Sequence, residues 1–320
     1  MKSPVFLQLH RDNHAAIREE LLAGLQAAVA HTSPKYLYDA LGSRLFEAIT
    51  ELPEYDLTRL EASVFAAQAS QMRQVPEGAT WIDLGAGNCK KSASLFGQFK
   101  PRQYVAIDIS VDFLREAMAS LQLQHPALDM VGVGVDFSAG LVLPEGVANP
   151  AAPRVLFYPG SSIGNFSPSE AEHFLRSVRA ACGDHPASGL LIGVDLVKDA
   201  QQLEDAYDDA LGVTAAFNLN LLRHINQLAG TDFQVRDWRH LALFNPALSR
   251  VEMHLAARAA TVMRWQGGER VFQAGERIHT ESSYKWTPAD FEALLQRAGF
   301  GACQVWTDAN RRFATFWAAV

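Results

Sequence analysis

The sequence has little cysteine, and its cysteines and histidines are not spaced as metal ligands. Three cysteines occur in 320 residues, and Cys89, Cys182 and Cys303 are far apart and form no CxxC pair. This argues against a disulfide framework and against a cysteine zinc site. The ten histidines show no HExxH or related spacing, so we expect no metal.

Basic clusters and long apolar runs are also missing. The formal net charge is −7, and lysine and arginine are scattered among carboxylates, which argues against a nucleic-acid partner. No stretch of about 18 uninterrupted apolar residues appears, and charges soon follow the first residues, so we expect neither a membrane span nor a secretory signal. The chain is 48% hydrophobic and 20% charged, a balance typical of globular proteins. We therefore expect a cytoplasmic protein.

From Thr80 onward, short apolar runs alternate with longer segments, several of which have helical spacing. The runs are WIDLGAG, YVAIDIS, VGVGVDF, RVLFYPG and LLIGVDL. This alternation predicts an α/β fold with a parallel sheet, in which ligands bind at the carboxyl ends of the strands. The residues that close the runs are the first candidates for such a site: Asp83 to Asn88, Asp108, Asp136, Gly160 to Asn165, and Asp195.

The flanking segments have other periodicities. Residues 8–30 and 45–72 carry apolar positions at helical spacing, so we expect the chain to open with helices. RVEMHLAARAATVMRW is typical of antiparallel strands, and TPADFEALLQRAGF predicts a helix capped by Thr287 and ending near Gly299. Two strand-like runs, ACQVWTD and RFATFWAAV, follow. We predict one domain from residues 61–199 plus 287–320 and a second lobe from residues 1–60 plus 200–286.

The first apolar run ends in a Gly-rich turn before a helical segment. Gly85 and Gly87 permit a sharp turn and a close approach to a ligand. A dinucleotide site would have a third glycine where Lys90 stands, whereas Asp83 gives the pattern D-x-G-x-G, which resembles motif I of class I methyltransferases. Asp108, 23 residues after Gly85, is near the distance at which an acid meets ribose hydroxyls. A purely structural turn is the alternative.

Four longer segments have no general structural explanation: SPKYLYDALGSRLFEAITELPEYDLTR, GSSIGNFSPSE, GVDLVKDAQQLEDAYDDALGVTAAFN and HTESSYKW. Together they resemble the histidine Nα-methyltransferases of ergothioneine biosynthesis, in the family's order and over residues 34–308. The resemblance implies a Rossmann-like class I methyltransferase sheet with a second, α+β substrate-binding lobe. It also implies trimethylation of L-histidine to hercynine through mono- and dimethyl intermediates, with S-adenosyl-L-methionine as cofactor and S-adenosyl-L-homocysteine as product. We expect a monomer.

For the cofactor, the resemblance implies five binding residues. Gly85 lies in the turn, Lys91 would orient the methionyl carboxylate, and Asp108 would accept from the ribose hydroxyls. Asp136 would accept from the adenine amine while the ring of Phe137 lies against the base.

For the substrate, the resemblance implies contacts with each part of the amino acid. The carboxylate would meet an amide and a phenol, the imidazole would meet an acid and a hydroxyl, and a tyrosine near the amine would act in catalysis. These residues are Asn165 and Tyr207 for the carboxylate, Tyr55 for the amino acid head, Glu281 and Ser283 for the imidazole, Met253 in the pocket wall, and Tyr38 for catalysis.

Several features leave alternatives open. Asp56 follows LPEY where the family commonly has a second tyrosine, which leaves room for an altered substrate preference. Gly160 to Gly164 spell G-S-S-I-G, which matches the G-x-S-x-G of serine hydrolases with Ser162 as nucleophile, although no later Asp and His stand out as partners. An N-methyltransferase of the same fold acting on another aromatic amino acid or amine is the nearest alternative. An inactive cofactor-binding protein is a further one.

Overall fold

The computed structural model describes residues 2–9, 13–138, 140–149 and 151–320. The chain divides into two compact units, the first of Met1–His10, Leu57–Val197 and Lys285–Val320, the second of Arg11–Asp56 and Lys198–Tyr284. The strands are β1 Val5–Gln8, β2 Thr80–Leu84, β3 Gln103–Asp108, β4 Asp129–Gly134, β5 Arg154–Tyr158, β6 Gly189–Asp195, β7 Trp238–Asn245, β8 Arg250–Ala257, β9 Thr261–Trp265, β10 Gly268–Phe272, β11 Arg277–Tyr284, β12 Cys303–Thr307 and β13 Phe313–Ala319. The helices are α1 His14–Gln26, α2 Ala40–Ile49, α3 Leu57–Gln68, α4 Lys90–Phe99, α5 Val111–Gln124, α6 Pro168–Cys182, α7 Ala200–Asp205, α8 Val213–Ala229 and α9 Pro288–Arg297.

The first unit is an α/β domain built on an eight-stranded sheet, which confirms the predicted fold. The strand order is β1-β4-β3-β2-β5-β6-β13-β12, with β1 to β6 parallel and β13 antiparallel to both of its neighbours. Strands β2 and β6 are buried along their whole length, as their continuous apolar runs predict for strands in the middle of a covered parallel sheet. Helix α9 begins as expected, because the Thr287 side chain accepts a hydrogen bond from the backbone N–H of Asp290.

The expectation that the chain opens with helices is wrong, because a strand comes first. β1 pairs in parallel with β4 at the edge of the sheet, with Phe6 opposite Gly132. A Cβ atom on Gly132 would lie 2.4 Å from the Phe6 ring, so the missing side chain leaves the space that the ring occupies. The guanidinium of Arg115 lies 4.6 Å from the centre of the same ring. The first helix, α1, then begins at His14 with Asn13 as its N-cap.

The helical stretch expected over residues 45–72 is interrupted. α2 begins at Ala40, ends at Ile49, and is separated from α3 by a turn through LPEYD. Pro53 lies in this turn and has no backbone N–H to offer a helix. The interruption places Tyr55 in a connecting segment rather than on a helix face.

The second unit combines helices with two small antiparallel sheets. One sheet has the strand order β11-β8-β7, and β9 and β10 form a hairpin. Helix α8 packs against α1, α2, β7 and β8 and buries Phe217 and Leu221 there. A register irregularity in β11 between His279 and Glu281 marks a β-bulge, a feature that re-aims the side chains that follow it.

Asp195 and Lys285 form an ion pair inside the first unit. The Lys285 Nζ lies 2.8 Å from an Asp195 carboxylate oxygen, and both side chains are fully buried. The backbone next to this pair is also tied, since Trp286 N–H donates to the carbonyl of Asp195 and Val197 N–H donates to that of Trp286. A buried charge without its partner is strongly destabilising, so each of the two residues depends on the other.

We expect Lys285→Met to lower the free energy of unfolding by about 3–5 kcal/mol, because it leaves the Asp195 carboxylate unpaired in the core. The double variant Lys285→Met/Asp195→Asn should recover much of the loss. Lys100→Met is the matched control, since Lys100 and Glu77 form a pair with both side chains about two-thirds exposed and should contribute far less. Urea unfolding followed by circular dichroism measures all three. Equal losses for Lys285→Met and Lys100→Met would contradict this interpretation.

Candidate active site

The Gly-rich turn after β2 adopts the conformation that its glycines predict. Gly85 and Gly87 have φ values of 71° and 52°, in the region that L side chains rarely adopt. The Asp108 carboxylate at the end of β3 accepts the backbone N–H of Gly87 at 2.8 Å and that of Ser110 at 2.8 Å. Burial raises the pKa of Asp108, although these two N–H groups oppose the shift. Asp108 therefore holds the turn in place at the carboxyl edge of the sheet.

Asp136 and Phe137 follow β4 at the same edge. One Asp136 carboxylate oxygen accepts the Ser138 N–H at 2.9 Å. The Phe137 ring packs edge-on against Tyr158, with ring centroids 6.2 Å apart, and a Cβ on Gly85 would lie 3.9 Å from its tip. The structure thus brings together Gly85, Asp108 and the Asp136-Phe137 segment, all at the ends of adjacent parallel strands.

Lys91, the fifth expected cofactor residue, is paired with an acid that sequence reasoning missed. Its Nζ lies 2.8 Å from the Glu61 carboxylate, whose side chain is 3% exposed, and the other Glu61 oxygen accepts the Gly160 N–H at 2.9 Å. Glu61 therefore joins α3, α4 and the loop after β5. A signal was available in the sequence, since Glu61 lies four residues after Leu57 and three before Val64, within the buried stripe of α3.

Asp83 is buried in the core rather than directed at a ligand. One carboxylate oxygen accepts the hydroxyls of Ser92 at 2.6 Å and Tyr104 at 2.8 Å, and Ser92 also accepts the Trp81 indole N–H. Burial raises the pKa of Asp83 to about 6, although the two hydroxyl donors oppose the shift. In the motif D-x-G-x-G, this acid braces the strand from which the Gly-rich turn projects.

Asn165 ends a short 3-10 turn, Ser162–Asn165, after β5, where its side chain is half-buried. The turn is supported from β6, because Asp195 N–H donates to the Ser161 hydroxyl at 2.9 Å. Ser162 does not have the features of a hydrolase nucleophile: its hydroxyl donates to the carbonyl of Pro159, and the left-handed backbone of this segment is at Ser161, with φ of 58°. The G-S-S-I-G match therefore describes a strand-to-turn connection.

In the second unit, β11 and β8 bring three expected substrate residues to one face of a sheet. Glu281 pairs with Met253 across the ladder and Ser283 pairs with Val251, and residues two apart on a strand share a face. Glu281, Ser283 and Met253 are 7%, 4% and 2% exposed, so an acid and a hydroxyl lie buried beside an apolar side chain. The Thr280 hydroxyl donates to the carbonyl of Met253 and fastens the bulge to β8.

Tyr207 joins this group from the segment between α7 and α8. Its hydroxyl donates to the Ser283 hydroxyl oxygen at 2.7 Å, and its ring meets the Tyr55 ring edge-on with centroids 6.2 Å apart. Both tyrosines are 7% exposed. Four polar side chains that are distant in sequence, Tyr55, Tyr207, Glu281 and Ser283, thus lie on neighbouring elements of one unit.

Tyr38 is held among aromatic rings that the sequence did not single out. Its ring centroid lies 5.5 Å from those of Phe46 and Phe217, and Phe46 in turn contacts Tyr55 at 6.2 Å. The contacts are mostly edge-to-face, which is the favoured geometry for aromatic pairs. Phe46 and Phe217 therefore link Tyr38 to Tyr55.

Asp56, the departure from the family pattern, is paired with a cation. Its carboxylate lies 3.2 Å from the Lys198 Nζ, and the Lys198 side chain is only 5% exposed. The charge introduced at Asp56 is therefore neutralised within the second unit.

The described residues offer neither a metal cluster nor a membrane-spanning helix. In these parts of the chain, no group of three or more His, Cys, Asp or Glu side chains is arranged to hold a metal ion. None of the helices formed by the described residues has the length and apolar character needed to cross a membrane.

Comparison with known proteins gives a consistent set of relatives. The sequence profile of a family described as "Histidine-specific methyltransferase, SAM-dependent" matches residues 17–320. The histidine N-alpha-methyltransferase of Mycolicibacterium smegmatis is 36% identical over 299 residues, covering 92% of this chain and 91% of the relative. Ergothioneine biosynthesis protein 1 of Neurospora crassa is 32% identical over 86% of this chain and 31% of its own length. N-methyltransferase fsqC of Aspergillus fumigatus is 29% identical over 96% of this chain and 86% of its own.

Asp83 gives the first unit a stability that depends on pH. Its folded-state pKa of about 6 lies above the usual value of 3.8, so between these values the folded state binds more protons, and stability falls as pH rises. Asp83→Asn removes this titration. Between pH 4 and pH 6.5, the wild type should lose on the order of 1–3 kcal/mol of unfolding free energy through this group, and the variant should not. Urea unfolding at both pH values tests this, and a constant difference between the two proteins would show that the expectation is wrong.

Proposed function

Because the chain belongs to the family of histidine-specific, S-adenosylmethionine-dependent methyltransferases, we propose that it transfers three methyl groups in turn to the α-amine of L-histidine. The intermediates would be mono- and dimethylhistidine, and the product would be the betaine hercynine. The names of the relatives support a place for this reaction in ergothioneine biosynthesis. We propose that it is the first step. We propose further that the enzyme is a monomer and that it is cytoplasmic, the latter in keeping with three cysteines that form no disulfide.

The residues at the carboxyl edge of the first unit fit S-adenosylmethionine. Asp108 and Asp136 supply carboxylate acceptors for the ribose hydroxyls and the adenine amine, and Phe137 supplies a ring face for the base. Lys91 supplies a cation for the methionyl carboxylate, and Glu61 fixes the position of that cation. When bound, this cofactor supplies a methyl group on a positively charged sulfur.

The observation that carries the choice of histidine is the buried polar face of β11. Glu281 can accept an imidazole N–H and favours a cationic ring, and Ser283 offers a second hydrogen-bonding atom two residues away. To bind the substrate carboxylate together with Tyr55, the Tyr207 O–H would turn from Ser283 to the carboxylate, and the Ser283 O–H would donate to Tyr207 in return. In the first unit, Asn165 is the proposed carboxylate ligand. Met253 would form the apolar wall of the pocket.

The chemical step needs a neutral amine, since only a free lone pair on nitrogen can attack the methyl carbon. Beyond the loss of that proton little acid–base chemistry is required, so the contribution of the protein is to orient the amine and exclude water. We assign the orientation to the Tyr38 hydroxyl, which would accept a hydrogen bond from the amine in the first two transfers, while the nitrogen still carries an N–H. The surrounding rings of Phe46 and Phe217 restrict the movement of Tyr38.

Incubation with L-histidine and S-adenosylmethionine should give one, two and three added methyl groups on histidine, as measured by mass spectrometry.

The second candidate is methylation of another aromatic amino acid or amine, which the relatedness to a fungal N-methyltransferase makes worth testing. Competition among histidine, tryptophan and tyrosine separates the two candidates. Preferential methylation of tryptophan or tyrosine would make that amino acid the proposed substrate. The absence of any mass shift on histidine would refute the proposed methylation of histidine.

We expect Glu281→Gln to raise the KM for L-histidine by about 10- to 100-fold, because a charge-assisted hydrogen bond is replaced by a neutral one. Binding of S-adenosylhomocysteine, measured by calorimetry, should be unchanged. Glu269→Gln is the control, since Glu269 is an exposed acid of the same unit. If the two variants have the same KM, Glu281 does not contact the imidazole.

We expect Tyr38→Phe to lower kcat for the first two transfers by about tenfold or more, because the amine loses the hydroxyl that accepts its N–H and orients its lone pair. The third transfer should change less, since the neutral dimethylated nitrogen has no N–H to donate. Single-turnover mass spectrometry resolves each transfer. Tyr36→Phe is the matched control, because Tyr36 lies in the same turn but its hydroxyl donates to Glu20. Wild-type rates in Tyr38→Phe would remove Tyr38 from the mechanism.

A further inference from the structure

Asn218, on helix α8, has a buried side chain whose orientation is determined by its partners. The side-chain nitrogen lies 3.1 Å from the carbonyl oxygen of His254 and 2.9 Å from Nδ1 of His240. Since a carbonyl can only accept, the atom facing it must be the amide nitrogen, whose second N–H is then directed at His240. The residue is fully buried, so these bonds are shielded from bulk solvent.

His240, on β7, continues this arrangement towards the proposed substrate residues. Its Nε2 lies 2.8 Å from the backbone carbonyl oxygen of Tyr207, so Nε2 carries the proton and Nδ1 is left to accept from Asn218. Burial lowers the pKa of His240 in spite of the Tyr207 carbonyl and the nearby acids Asp208, 3.9 Å from Nε2, and Asp209. The neutral ring with its proton on Nε2 is the form that satisfies both neighbours.

Tyr207 lies in a turn between α7 and α8, where a regular helix does not fix its backbone. At one end of the residue, the carbonyl receives the His240 N–H, and at the other the phenol donates to Ser283. A separate bond, from Phe244 N–H to the Glu204 carboxylate, joins α7 to β7 independently of His240. Loss of the His240 bond should therefore change the position of Tyr207 without detaching α7.

We propose that Asn218 and His240 are positioning residues for substrate binding, which hold the backbone of Tyr207 so that its phenol meets Ser283 and the substrate carboxylate. Neither side chain touches the substrate in this account. The inference rests on the proposed function of Tyr207, and it adds two residues to which no motif in the sequence gave a role.

The test compares two substitutions of His240. His240→Leu removes both bonds, whereas His240→Gln keeps an N–H for the Tyr207 carbonyl and an oxygen for the Asn218 amide. We expect His240→Leu to raise the KM for L-histidine about tenfold or more with a smaller change in kcat, and His240→Gln to stay within about threefold of the wild type. Asn226→Leu controls for lost stability, because Asn226 lies on the same helix and bonds Phe233 and Thr231 instead.

A second readout does not depend on histidine as substrate. With tyrosine labelled at the ring carbon that bears the hydroxyl, the seven tyrosines give few NMR signals, and Tyr207→Phe identifies that of Tyr207. The chemical shift of this signal should change in His240→Leu and remain at its wild-type value in His240→Gln and Asn226→Leu. A wild type that fails to methylate histidine while the signal still moves would refute the proposed function and keep the positioning role. An unmoved Tyr207 signal in folded His240→Leu would overturn the positioning role.

Discussion

The candidate cofactor site depends on the parallel direction of β2 to β6, which places the ends of successive strands at one edge of a sheet. Backbone bonds join these ends directly: Gly85 N–H donates to the carbonyl of Ile107, and Val135 N–H donates to that of Asp108. A carboxylate, an aromatic ring and a glycine turn from three separate segments therefore meet without any long-range sequence motif. This is the general location of ligands in open α/β sheets.

A second constraint is that buried charges and hydroxyls need partners, and it organises both units. Glu61 forms an ion pair with Lys91 and accepts the Gly160 N–H, and Asp195 forms an ion pair with Lys285. These buried acids fix the segments of the first unit that contain the candidate cofactor residues. In the second unit, the Tyr207 hydroxyl donates to the Ser283 hydroxyl oxygen. Such polar networks favour one arrangement of the side chains, because any other leaves a buried group unpaired.

Much of this architecture was predictable from local patterns. Apolar runs predicted the central strands, D-x-G-x-G predicted the turn, and the Thr287 cap predicted α9. β1 was not predictable, since its pairing with β4 uses the space that Gly132 leaves for Phe6, and nothing near Phe6 in sequence indicates that space. The partners of Glu61 and His240 were missed for the same reason: each lies at least 22 residues away and is brought close only by the tertiary fold.

The choice of L-histidine as substrate depends on which part of the amino acid contacts β11. A crystal structure of the protein with L-histidine and S-adenosylhomocysteine measures this most directly. We expect the imidazole nitrogens to lie within hydrogen-bonding distance of Glu281 and Ser283, with the cofactor ribose on Asp108. An imidazole that contacts neither Glu281 nor Ser283 would contradict the account.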